Sequence, residues 1–133
     1  VRFIQTRVRH LNKHPQNRKG SEAVLLVSSD LVRKGFFVAY ILNESCPYDL
    51  IASIKGNCYR IQVKYKKKTK GYLEVDGRAN GGKYKIKDFD VFGVYCPNTK
   101  ECYYFPNNGG RRSYNIKTNL KLKFPIGEVV EKV

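Results

Sequence analysis

Asp49, Gln62 and Lys64 bring an acid, an amide and an amine into one short stretch, residues 47–64. That set suits phosphodiester hydrolysis. A carboxylate holds a hard divalent cation, the amide and a main-chain carbonyl fill part of its oxygen shell, and a lysine steadies an attacking hydroxide or the charge developing on phosphate.

The stretch that must position them reads as a β-hairpin. Leu50, Ile51 and Ile54 precede Lys55-Gly56-Asn57, and Tyr59, Ile61 and Val63 follow. Gly56 and Asn57 are expected to supply the positive φ of a tight turn. In the second strand a period of two sends Gln62 and Lys64 to one face and Ile61 and Val63 to the other. Pairing then sets Asp49, at the start of the first strand, beside the polar pair.

Around the hairpin, Ser21 is expected to cap a helix that begins at Glu22 and ends at Arg33-Lys34, with Gly35 as the stop. Residues 23–27 taken by themselves are also strand-like; the length to Lys34 and the two caps favour helix. Residues 36–42 form an apolar run of strand length, and residues 43–47 turn the chain into the hairpin. Residues 72–76 alternate like a short strand, and residues 89–96 and 102–105 are apolar strands joined by a turn at Pro97-Asn98-Thr99-Lys100. Residues 106–119 read as a polar loop, and residues 120–124 as a last strand.

At these residues the chain resembles a known family. Asp49 with Gln62-Val63-Lys64 resembles the PD-(D/E)XK nuclease core in the variant where glutamine stands at the second acid, as in group I intron-encoded homing endonucleases of this type. Glu22, in Lys19-Gly20-Ser21-Glu22, matches an acid that members often carry on an N-terminal helix. The resemblance spans about residues 19–105. It departs at Tyr48, which sits between Pro47 and the acid, and at Gln62, since a neutral amide binds Mg²⁺ more weakly than a carboxylate.

The resemblance implies an α/β fold, a restriction endonuclease-like mixed central β-sheet with flanking helices, in which the strand at residues 89–96 lies parallel to the one carrying Lys64. It implies Mg²⁺ (or Mn²⁺) held by Asp49, the Val63 main-chain carbonyl and Glu22, with Lys64 orienting or helping to deprotonate water and Gln62 positioning it. A long duplex DNA target follows too. One chain of this size covers part of such a target, so a homodimer or homotetramer is expected.

Composition points the same way. The 133 residues suit one domain, residues 19–133, behind a basic N-terminal arm, residues 1–18, in which Pro15 reads as a helix breaker. A net charge of +15 spread along the whole chain repels itself and is best neutralised by a polyanion, here double-stranded DNA. The expected DNA contacts are Lys66, Lys67, Lys68 and Lys70, then Arg78, Lys83 and Lys85, and Arg111 and Arg112. No strongly amphipathic helix suggests an anionic membrane, and no run reaches spanning length. The cysteines, Cys46, Cys58, Cys96 and Cys102, form no C-x-x-C pair and lie far from His10 and His14, where a zinc site would need closer ligand pairs; they read as reduced, in an intracellular protein of the cytoplasm or an organelle. Cys96 and Cys102 are placed to approach each other across a hairpin. No Met is present, an initiator included, so residues before Val1 or a trimmed start are expected.

Two other readings stay open. A Holliday junction resolvase would share the Lys-Gly…Glu opening, the Asp and the x-Lys, but with a true acid where Gln62 stands. A non-catalytic nucleic-acid-binding module would make Gln62 the mark of a degenerate site, with strong, salt-sensitive binding that survives loss of Asp49 or Lys64.

Overall fold

The structure is a computed structural model in which residues 15–76 and 87–115 are described. Helix α1 (Pro15–Arg33) opens on Pro15, well before Ser21. Proline suits a first helical position, because its missing N–H would have no intrahelical partner and its φ is already helical. Pro15 thus starts the helix rather than breaking it, residues 15–18 of the expected arm belong to α1, and Ser21 is an interior residue instead of a cap. Residues 1–14 lie outside the described residues.

Ala23, Val27 and Leu31 recur one turn apart and are fully buried, which gives α1 its apolar stripe. Its end is a Schellman turn. Gly35 takes φ 94° and donates to the Val32 carbonyl, and Phe36 donates to the Leu31 carbonyl at 3.0 Å. Leu31 and Phe36 then meet in the core, so one turn both stops the helix and aims the chain into the sheet.

The strands are β1 (Phe37–Tyr40), β2 (Leu50–Ile54), β3 (Asn57–Tyr65), β4 (Tyr72–Asp76), β5 (Val91–Cys96), β6 (Glu101–Pro106) and β7 (Arg111–Asn115). A five-stranded sheet runs β1-β2-β3-β5-β6, antiparallel except that β3 and β5 are parallel, with Ile61 opposite Val91 and Lys64 opposite Val94. The sheet is mixed and the crossover parallel, as expected; among the described residues one helix flanks it. The β2–β3 turn is tighter than expected. Lys55 and Gly56 take the positive φ, 50° and 83°, as a two-residue turn of this kind requires, and Asn57 already pairs with Ile54.

Two apolar clusters lie on either side of the sheet. On the α1 side, Ala23, Val27 and Leu31 pack on Leu50, Ala52, Ile61, Val63 and Tyr104. Gly93 sits beneath them, where a Cβ would come within 2.9 Å of Val27 and 3.0 Å of Ile61, so only glycine lets the helix lie this close. On the other side, Phe92, Val94, Tyr103 and Phe105 are covered by Leu73 and Val75 of a β4–β7 ribbon. Residues 111–115 therefore form a strand, where the sequence reads as loop. Pairing with β4, and Tyr114 stacked at 4.5 Å on Phe105, supply what its polar side chains do not. Cys96 and Cys102 fall into opposite clusters and are free thiols, so the register keeps them from meeting. Residues 120–124 lie outside the described residues.

Candidate active site

β2 begins where Leu50 faces Ile61, and one residue upstream the Asp49 N–H still donates to the Ile61 carbonyl at 2.8 Å. There the strands part. The Asp49 side chain takes over the ladder, its Oδ2 accepting the Val63 N–H at 2.8 Å. Arg60 and Lys66 bond instead towards β5, through Asp90 N–H to the Arg60 carbonyl and Lys66 N–H to the Tyr95 carbonyl. Main-chain groups alternate along a strand, so the Val63 carbonyl lies on the same edge of β3 as the Asp49 carboxylate. Two hard oxygens share that edge.

Burial pushes the Asp49 carboxyl above the usual range, against the opposing pull of the Val63 N–H and the Lys64 charge. Lys64 is held below the usual lysine range by burial and by Lys66, while Asp49 and Asp76 pull it back up. Each group feels the other. Gln62 lies on the same face and is nearly buried, 8% exposed. A cavity of about 760 Å³ opens over Asp49, Gln62 and Val63, walled by Asn17, Ser21 and Ser28 of α1 and by Tyr40.

Glu22 is placed differently. It is exposed on α1, two turns into the helix, and its charge falls on Tyr95, whose phenol it helps to raise. Among the described residues no three His, Cys, Asp or Glu side chains gather as a metal cluster. A cation here would rely on one carboxylate, a carbonyl, an amide, water and substrate phosphate. That donor set fits Mg²⁺, which keeps several waters and takes few protein ligands.

A family model for the PD-(D/E)XK endonuclease matches residues 14–128. The chain belongs to this family. PD-(D/E)XK nucleases generally use divalent metal ions and act on DNA. A bacterial homing endonuclease, I-Ssp6803I, shares the fold with TM-score 0.58 at 23% identity, over 74% of this chain and 76% of its own. Hjc, a Holliday junction resolvase from Archaeoglobus fulgidus, shares it with TM-score 0.55 at 16% identity, over 86% of this chain and 98% of its own. No curated protein matches significantly.

Around the PD-(D/E)XK core the basic residues divide. Lys66, Lys67 and Lys70 rim a second cavity of about 530 Å³ with Tyr72, Glu74 and Ser113. The Lys68 N–H is tied to Asn98 Oδ1 at 2.9 Å, which fixes this run against the β5–β6 turn. Arg111 is partly neutralised, its Nε lying 3.4 Å from Glu74 and 3.5 Å from Asp76. Arg112 faces Val75 in the ribbon ladder. Arg78, Lys83 and Lys85 lie outside the described residues.

Three residues escape a sequence reading of this core. Asp90 accepts the Arg60 N–H at 2.7 Å and grips the Arg60 guanidinium with both oxygens, which holds its carboxyl below the usual range. Arg60 in turn lies over the Tyr48 ring at 5.9 Å. Tyr48, the departure from the family motif, is thus the residue beside Asp49 that Arg60 covers. Asp76 is the third, and its one sequence signal is its place at the acidic end of a strand in a chain poor in acids.

Proposed function

We propose that the chain is a metal-dependent endodeoxyribonuclease that cuts a long duplex target, a homing endonuclease acting as a homodimer or homotetramer. The observation that carries this reading is the Asp49 carboxylate on the open edge of β3, beside the Val63 carbonyl and within the field of Lys64. Mg²⁺ or Mn²⁺, when bound, supplies charge to the scissile phosphate and acidifies water. Asp49 and the Val63 carbonyl would hold it; Glu22, whose charge falls on Tyr95, stands outside this proposal.

Lys64 does the proton work. Its ammonium is weakened by burial, so Nζ can orient a water and accept its proton nearer neutral pH than an ordinary lysine would. Gln62 fixes that water through its amide without adding a second negative charge beside Asp49. Lys66, Lys67 and Lys70 grip phosphates along the strand.

The test is cleavage with Mg²⁺ by the wild type and by Lys64→Ala, on a randomised long-duplex library and a four-way junction side by side. Lys64-dependent cuts at a few related duplex sequences support the proposal. Structure-directed cuts in the junction alone replace it with the resolvase reading. Tight binding to both without cleavage leaves a binding module.

A further inference from the structure

Of the large apolar side chains that stand exposed among the described residues, all but Tyr72 lie on α1 or on and just after β1: Leu25, Val32, Phe37, Tyr40 and Leu42. Phe37 is 80% and Leu42 88% exposed. Leu25 and Val32 share one helix face, Leu25 lines a cavity with Tyr40 on the helix side of β1, and Phe37 stands on the opposite face of the same strand. Large apolar side chains left exposed together along one strand mark a contact.

β1 is also an edge. Among the described residues it pairs with β2 on one side only, and Ile41 donates to the Asp49 carbonyl, so the odd-numbered residues turn their main-chain groups to β2. Val38 and Tyr40 turn theirs outward. Residues 35–43 carry no charge in a chain of net charge +15. That combination selects the partner. Two copies would repel wherever their cations meet, and this is a face on which they can approach without charge contact. An outward-turned edge strand is complementary to itself about a two-fold axis. At its middle stands Ala39, exposed and small enough to let the two strands close.

We propose that β1 pairs antiparallel with β1 of a second copy about a two-fold axis at Ala39. Val38 then bonds to Tyr40 of the partner copy and the two sheets become one. Phe37 and Ala39 cover the seam on one face, and Tyr40, Leu42 and Leu25 cover it on the helix side. The proposal deepens the nuclease reading, since two sites are needed for two strands, but the contact is measured without any cleavage.

Light scattering after size exclusion, on the DNA-free full chain in moderate salt, should give the mass of two copies. Tyr40→Pro removes an outward N–H that the monomer's own sheet does not use, and Ala39→Lys places like charges directly opposite each other across the axis. Each should give the mass of one copy with an unchanged circular dichroism spectrum. A wild-type monomer overturns the proposal, and so does a dimer that both variants leave intact. If the variants fail to fold, Ala39→Cys in a Cys46→Ser, Cys58→Ser background decides. Across the axis the two Cα atoms would lie about 4.5 Å apart, within disulfide reach, so diamide, taking up the two thiol protons and two electrons, should cross-link the copies. No cross-link sinks the proposal. A monomer that still cuts DNA would remove this interface and spare the nuclease reading; an inactive dimer would do the reverse.

Discussion

Asp90 and Asp49 are both carboxylates held against β3 and set beside a cation, and each accepts a main-chain N–H of that strand. Asp90 meets a guanidinium that fits it with both oxygens, and its carboxyl falls below the usual range. Asp49 meets one N–H and feels the charge of the half-buried Lys64, and burial outweighs both, so its carboxyl rises. The first site satisfies its charges and ties the start of the parallel β3–β5 pair. The second holds the Asp49 carboxylate at the mouth of a cavity against the cost of burial, which is what a site reserved for a cation and a phosphate requires. The two are joined through Tyr48, packed between Arg60 and the chain that delivers Asp49.

The widest break between them should be in rate against stability. Lys64→Ala or Asp49→Asn should lower the cleavage rate by about a thousandfold or more while urea unfolding in EDTA stays where it was or moves up. Asp90→Ala should do the opposite, keeping single-turnover cleavage within a few-fold and losing about 2 kcal/mol. That figure is the cost of orphaning the Arg60 guanidinium and N–H, discounted because the pair is 39% and 31% exposed. An Asp90→Ala protein that is stable but inactive would erase the distinction.

Much of this was legible in the residues, because period-two alternation in β3 and a single turn glycine decide which side chains share a face. Gln62 and Lys64 alternate with the core residues Ile61 and Val63 as that pattern implies, and Asp49 reaches the strand through the Val63 N–H. What escaped it depends on partners far along the chain. Residues 111–115 are strand only because β4 lies beside them, and no periodicity of their own announces it. Asp90 gains its role from Arg60, thirty positions away. Pro15 was misleading because the same residue ends one helix and begins another, and only the buried stripe of Ala23, Val27 and Leu31 shows which. Glu22 matched a motif in sequence but rides on the part of α1 that faces Tyr95.

The finest difference is in the sign of the pH dependence, measured without metal. The folded-state pKa of Asp90 is lowered, so its contribution is present above the ordinary carboxylate range and is lost as pH falls through that lowered value. Asp90→Asn should therefore flatten the acid limb of the unfolding curve. Asp49 has a raised folded-state pKa, so its contribution is present below the ordinary range and is lost as pH rises through the raised value. Asp49→Asn keeps an acceptor for the Val63 N–H and removes the buried charge. It should be slightly more stable than wild type at neutral pH in EDTA, by about 0.5 kcal/mol once water screening of a half-exposed group is allowed for. Its advantage should vanish in acid, and added Mg²⁺ should stabilise the wild type while leaving Asp49→Asn unmoved. If Asp49→Asn is instead the less stable protein at neutral pH in EDTA, Asp49 is a structural carboxylate like Asp90, and the division of β3 into a satisfied end and a waiting end fails.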